Sequence, residues 1–351
     1  MLTSTAIKAR AREVGFDICG VAAAESYPEL SFLKEWLGRG YAGEMTWMAR
    51  TAERRADVRN VLPGARSVIV LGTIYNTDRP YSTESADAGA ALVSRYAWGD
   101  DYHDVLGKRL ARLLAWMRAE SAEPFGARAY VDTGPVQERV YAQYAGLGWI
   151  GKNTCLINPE LGSWLFLASI ICTLSLEPDQ PALDQCGTCS LCIEACPTDA
   201  LREPHVLDST RCLSYLTIEL RGEIPDEHRA AMGSHVYGCD VCQEVCPYNQ
   251  SPRCSWDAAW QPRAGLDLPA LVELWRRPDA ELRRLVKGSA MTRATVTGLR
   301  RNLAVAIGNS GDPGAIAELE QSSSDRPSAD DAMVQTHIEW AQRQQAAGNS
   351  R

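Results

Sequence analysis

Seven cysteines in two short runs dominate the chemistry this sequence can do. The first run, CGTCSLCIEACP, spaces Cys186, Cys189, Cys192 and Cys196 by two, two and three residues and ends in Pro197. Three thiolates at that spacing can wrap three irons of one 4Fe–4S cubane, while the fourth, displaced by the longer gap and the proline, serves a second cluster. The second run, GCDVCQEVCP, supplies Cys239, Cys242 and Cys246 before Pro247 and is one ligand short. Cys212, between the runs, completes a count of eight. Applying the crossover rule to both runs gives one cluster to Cys186, Cys189, Cys192 and Cys246, and the other to Cys196, Cys212, Cys239 and Cys242. Paired structural zinc sites also use thiolates, but the three-plus-one spacing with a proline after each run argues for clusters. Cys19, Cys155 and Cys172 sit in or beside apolar runs and read as small buried hydrophobes. Cys254 reads as a spare thiol.

Clusters of this kind move electrons singly and need a larger protein to serve. The chain has 351 residues, enough for two or three domains with real cores. Twelve cysteines in a cytosolic chain point to metal, because disulfides rarely persist in that compartment. The net charge of −8 excludes a protein that binds nucleic acid over its whole surface, though a local basic patch is compatible with it. No stretch approaches the roughly 18 to 20 consecutive apolar residues that span a bilayer, so a cytoplasmic protein with no membrane contact is expected.

The expected fold class is α+β, in three parts. Residues 1–178 read as an α/β domain: a short helix and strand at the start, strands over 67–75, 127–135 and 165–176, and a helix over 107–119. Residues 179–255 hold the cysteine runs, with Pro and Gly breaks and little room for an apolar core, and read as a ferredoxin-like domain. Residues 256–351 turn helical, in helix–turn–helix units that suggest one pair of HEAT-like repeats.

The first part carries no dinucleotide fingerprint and no Walker-type loop. Asp101-Tyr102-His103 begins the motif in which a histidine replaces the nucleotide base on the cobalt of cobalamin, but Gly107 comes one residue late and the glycine-rich segments that should follow are missing. A corrinoid here is therefore expected without a protein histidine on the metal. At Asp132 the spacing alone favours a turn-capping aspartate before Gly134-Pro135.

Several segments carry a more specific signal. ERRADVRNVLPGARSVIVLG (53–72), SRYAWGDDYHDVL (94–106), YVDTGPVQERVYAQYAGLGWIGKNTCLI (130–157), the two cysteine runs with CLSYLTIE between them, and RRNLAVAIGN (300–309) resemble epoxyqueuosine reductase, the cobalamin-dependent enzyme of the last step in making queuosine in tRNA. The resemblance runs over nearly the whole chain. It implies that Asp132 is the general acid, and that Arg55, Tyr102, His103, Lys152 and Asn153 lie around a cobalamin held with its lower base displaced. Two electrons and two protons remove an epoxide oxygen to leave an alkene, so an acid must stand close to the departing oxygen. A carboxyl half-buried against a flat macrocycle is expected to have a raised pKa.

The implied substrate is a base in the anticodon loop of tRNA, and an external one-electron donor must recharge the clusters. Residues 271–303 carry eight Arg or Lys against three acids, an excess suited to phosphates. Arg293, Arg300 and Arg301 are the expected RNA contacts of what is expected to be a monomer. Two rivals remain: a corrinoid reductive dehalogenase, which should carry an export signal and no basic helical tail, and a plain electron-transfer ferredoxin, which needs no Asp132.

Overall fold

A computed structural model describes residues 2–84, 87–266, 268–321 and 324–348. The N-terminal part is built on one four-stranded sheet: β1 (Ile18–Ala23), β2 (Ser67–Ile74), β3 (Ala127–Tyr130) and β4 (Leu165–Cys172), in the order β1-β2-β4-β3. Every pair is antiparallel. The expected mixture of helix and strand is present, with helices flanking an all-antiparallel sheet. β2 is buried along its whole length. Its side chains alternate, with Ile69 and Leu71 entering the core on one face and Val68 and Val70 that on the other, as a strand covered on both faces requires.

Helices supply the covers. On one face lie α1 (Ser4–Glu13) and α2 (Tyr102–Glu120), the latter presenting Leu106, Leu110, Leu113 and Met117 at helical spacing. Asp101 caps α2 by accepting from the His103 main-chain N–H at 3.0 Å. α3 (Glu138–Tyr144) covers the other face with Val140, Tyr141 and Ala142. β3 stops five residues short of the expected 135, because the chain turns at Asp132, whose φ is +56°.

The C-terminal third is helical: α5 (Leu271–Arg276), α6 (Asp279–Val286), α7 (Val296–Ser310), α8 (Pro313–Leu319) and α9 (Ala332–Gly348). α4 (Leu213–Ile218), which comes directly after Cys212, packs into the same core as these helices. The boundary expected at 255/256 is therefore not a break in packing. The cysteine segment shares a core with the C-terminal helices. Among the described residues, no helix is long and apolar enough to cross a membrane.

Two of the three expected RNA contacts are corrected here. Arg300 and Arg301 are almost wholly buried, at 0% and 1% exposure. Arg300 pairs with Asp279 at 3.0 Å and donates to the carbonyls of Trp275 and Arg277. Arg301 donates to the carbonyls of Leu216, Leu220 and Gly222, at 2.6, 2.9 and 2.6 Å, satisfying the C-terminal end of α4. A guanidinium costs much to bury unless its donors are all met, and carbonyl-rich helix ends meet them. Breaking one buried pair should be severe. Asp279→Ala is expected to lower unfolding stability by about 3–5 kcal/mol, measured by chemical denaturation. A loss below about 1 kcal/mol would mean that the carbonyls alone satisfy Arg300.

Candidate active site

The turn after β3 holds a non-glycine residue in the left-handed region at the edge of a cavity. Thr133 N–H returns to the Val131 carbonyl, so Asp132 sits at the centre of a three-residue turn with positive φ, a conformation costly for a residue with a Cβ. Gly134 is required two residues on, since a Cβ there would lie 2.3 Å from the Tyr130 ring. Arg55 clamps the turn from behind. It is buried, its Nη1 donates to the Val136 carbonyl at 3.1 Å, and it lies over the Trp47 ring. Gln137 closes the clamp by donating to the Arg55 carbonyl at 3.1 Å.

The Asp132 side chain projects into open space, 64% exposed. Tyr102 Oη donates to its Oδ2 at 3.1 Å, and His103 Nε2 lies 3.5 Å from the same oxygen. Tyr102 is stacked between His103 and Phe166, with ring centroids 4.1 and 4.6 Å away. The other ring nitrogen of His103 is 2.7 Å from Asp101, so both of its nitrogens face carboxylates. The walls of the hollow around it would raise the exposed Asp132 carboxyl, but bonding to His103, the His103 charge and the bond from Tyr102 outweigh this and hold the group below its ordinary range. This is opposite to the raised pKa expected beside a macrocycle. The raised carboxyl is Glu138, the first residue of α3, pushed up to about 8 by burial and then by the Asp132 charge.

Two hollows meet at this turn. One, of about 750 Å³, holds Arg55, Tyr102, His103, Asp132, Cys212 and Arg293 in its walls. The second, of about 800 Å³, shares Trp47, Arg55, Tyr96, Tyr102 and Asp132 with the first and adds Glu138 and Arg139. Tyr96, whose hydroxyl donates to that of Tyr237 at 3.2 Å, carried no sequence assignment and lines both.

The thiols form two groups. Cys186, Cys189, Cys192 and Cys246 line one pocket of about 260 Å³. Burial, then the neighbouring thiols of Cys246, Cys186 and Cys189, push Cys192 up to about 11. Cys239 is likewise raised by burial, with Cys212 and Cys196 among its neighbours. Cys242 has Cys239 and Cys212 beside it, and is in side-chain contact with Cys155. Trp149 Nε1–H points at Cys186 Sγ at 3.4 Å, and Ala200 N–H at Cys196 Sγ at 3.2 Å, donors of the kind that tune cluster sulfur. Among the described residues, no three His, Cys, Asp or Glu side chains are grouped closely enough to hold a single metal ion.

Known proteins share this sequence and this architecture. The family model "Epoxyqueuosine reductase QueG, DUF1730" matches residues 55–133, and a 4Fe-4S double cluster binding domain matches residues 185–249. The epoxyqueuosine reductase of Gloeobacter violaceus is 47% identical over 319 residues, covering 88% of this chain and 97% of the relative. The chain belongs to the epoxyqueuosine reductase family. The epoxyqueuosine reductase of Xanthomonas campestris pv. campestris is 41% identical over 340 residues, covering 95% of this chain and 94% of the relative. A crystal structure of epoxyqueuosine reductase with an epoxyqueuosine-modified tRNA-Tyr stem loop matches with a TM-score of 0.84 at 29% identity, covering 95% of this chain and 88% of that one.

Of the family positions expected around a corrinoid, Arg55, Tyr102, His103 and Asp132 share one hollow. Lys152 and Asn153 lie elsewhere, a further correction. Lys152 Nζ donates to the carbonyls of Gly187 and Cys189, at 2.7 and 2.8 Å, and Asn153 Nδ2 to that of Cys242 at 3.0 Å. Both brace the cysteine runs, although Ile150 of the same GWIGKN loop lines the second hollow. Arg293, unlike Arg300 and Arg301, is about half exposed at the hollow's edge and paired with Glu219 at 2.8 Å. Glu138 escaped the sequence reading because an acid in the first turn of a helix is an ordinary partner of the helix dipole.

The His103–Asp132 contact sets a pH window. Burial lowers the His103 pKa, but bonds to Asp132 and Asp101 more than offset it and leave it raised above 6.5. Its contribution is full below 6.5 and is lost as pH rises through the raised value. The Asp132 value is lowered from 3.8, so its share is present above that and is lost as pH falls through the lowered value. Asp132→Asn should therefore shift the His103 imidazole titration to lower pH, followed by NMR. An unchanged titration would assign its position to Asp101 alone.

Proposed function

We propose that the chain reduces epoxyqueuosine to queuosine in the anticodon loop of tRNA, with Asp132 as proton donor. The observation that carries this reading is that Asp132 and Cys212, one of the eight expected cluster ligands, open on the same hollow. A proton source and an electron source then address one substrate from two walls. The thiol groups fit two 4Fe–4S clusters, divided as Cys186, Cys189, Cys192 and Cys246 against Cys196, Cys212, Cys239 and Cys242.

The joined hollows fit base-off cobalamin. Trp47, Tyr96 and Tyr102 offer flat apolar wall to a macrocycle, and His103, with a carboxylate at each nitrogen, offers no free nitrogen to a metal. A corrinoid bound there would supply a strongly reducing cobalt centre, to be recharged by single electrons that the clusters would pass from an external donor. The rest falls to the chain's own side chains. Arg55 and Gln137 hold the Asp132 turn, and Tyr102 orients the carboxyl toward the open space. Asp132 then gives a proton to the oxygen as the ring opens, so that an alcohol leaves the transition state and not a bare alkoxide. Arg293, with the exposed Arg54 on the same hollow, is placed to take the phosphates flanking an unpaired base. The C-terminal helices are read as a HEAT-like unit that supports this edge and shapes the tRNA docking face.

The test is Asp132→Asn in single turnover, using pre-reduced enzyme and an epoxyqueuosine-containing anticodon stem loop. Asn keeps the size and much of the hydrogen bonding of Asp and removes the transferable proton. The variant is expected to fold, to retain iron and cobalamin, and to lose on the order of 10²- to 10⁴-fold in rate. Turnover within about threefold of the parent would return Asp132 to the role of a turn cap.

A further inference from the structure

Trp149 and Lys152 line neither hollow, yet one short hairpin sets both against the Cys186 group of thiols. Its strands, Trp149–Ile150 and Leu156–Ile157, pair antiparallel with Trp149 opposite Ile157. Gly148 lets them close, since a Cβ there would lie 2.2 Å from the Ile157 carbonyl oxygen. Trp149 is wholly buried, and a buried indole N–H must find an acceptor. The one it meets is the Cys186 sulfur, at 3.4 Å. The Tyr248 ring, edge-on with centroids 4.8 Å apart, and Ile157 hold the indole in that orientation. Lys152 Nζ is fastened to the carbonyls of Gly187 and Cys189, within the loop that carries three of the thiols. Among the described residues, it is the one lysine or arginine in the walls of the pocket that Cys186, Cys189, Cys192 and Cys246 share.

We propose that Trp149 and Lys152 set the reduction potential of the 4Fe–4S cluster expected on these four cysteines, raising it so that this cluster takes the electron from the external donor. The inference rests on that ligand assignment. The step breaks no bond: a one-electron donor is oxidised and the cluster is reduced. A cluster that gains an electron gains one negative charge, part of it on the sulfurs. An N–H aimed at a ligand sulfur and an ammonium fastened to the surrounding loop both stabilise that added charge, so each raises the potential. Neither residue ligates iron or touches substrate, and both are positioning residues for charge.

Other charges nearby do not cancel this. Asp184 opposes it, accepting from the Cys186 main-chain N–H at 2.8 Å, but its side chain is 51% exposed and water screens it, whereas the indole is sealed from water. Glu194 is exposed and bonded to Ser190. The Cys212 group has separate donors: the Ala200 N–H on Cys196 Sγ, and Arg211, whose Nε donates to the Thr198 carbonyl at 3.0 Å. The hairpin therefore acts on one cluster and not on both. That cluster is also the one remote from substrate, because Cys212 lines the hollow and none of Cys186, Cys189, Cys192 and Cys246 does.

The experiment is a redox titration of the full chain reconstituted with iron and sulfide, followed by electron paramagnetic resonance of the reduced clusters. The parent should give two potentials. Trp149→Phe keeps an aromatic ring and removes the N–H; it should lower one potential by about 59 mV, a tenfold change in a one-electron equilibrium, and leave the other in place. Lys152→Met should lower that same potential, while Lys152→Arg, which keeps the charge, should hold it near the parent value. A brace without electrostatic effect would lose iron and leave the potential of any remaining cluster unmoved. Both potentials unchanged in Trp149→Phe with iron intact, or Lys152→Arg shifting as far as Lys152→Met, would overturn the proposal. Should Trp149→Phe fail to take up iron, the parent is labelled isotopically at the tryptophan indole nitrogen. Pulsed resonance of its reduced clusters should then show a coupled indole nitrogen, and no coupling would overturn the proposal. A parent that holds a single cluster would show instead that the ligand assignment is at fault, and the inference would fall with it.

Discussion

The arrangement depends on a crossing. Cys246, from the second cysteine run, packs beside Cys186 of the first, against Trp149 and Ile157. That single exchange forces residues 186–196 and 239–246 to lie side by side, although a long stretch of chain separates them. Neither run has the apolar surface to hold such an arrangement, so the rest of the protein does. Lys152 and Asn153 tie both runs by their carbonyls. Asp240 ties the second run to the first part of the chain through Ser94 and the Arg95 main-chain N–H. Once the runs are fixed, Cys212 is carried to the floor of the hollow and α4 goes with it into the helical core.

The opposite wall of the hollow is built by different means. The antiparallel sheet delivers β3 to the cavity edge, and the chain then reverses in a strained turn at Asp132. Strain of that kind persists only where surrounding contacts over-determine it. Arg55, Gln137 and Gly134 are those contacts, and each would look ordinary by itself. The result is an acid that projects into open space from a rigid base, faced by a thiol from the cluster region.

Much of this was legible in the sequence, for identifiable reasons. The cysteine runs announce themselves because cluster geometry dictates spacing, and the strand over 67–75 because a strand buried on both faces must be apolar throughout. The C-terminal helices were legible from their period. Residues whose role depends on long-range placement were not. Arg300 and Arg301 sit in a basic stretch that resembles an RNA-binding face, yet they point inward at helix-end carbonyls far away in sequence. Lys152 and Asn153 share a segment with the hollow's walls but turn to the cysteine runs. Glu138 looks like a helix-start acid until Ser169 is seen donating to it.

The central claim is that electrons and the proton meet in one hollow, with the Cys212 group of thiols as the near electron source. The most direct measurement is the electron paramagnetic resonance of enzyme loaded with cobalamin and partly reduced. The account predicts a cobalt signal broadened by a reduced cluster close by, with the broadening abolished in Cys212→Ala. A cobalt signal that is sharp in the parent, or unchanged when Cys212 is replaced, would contradict it.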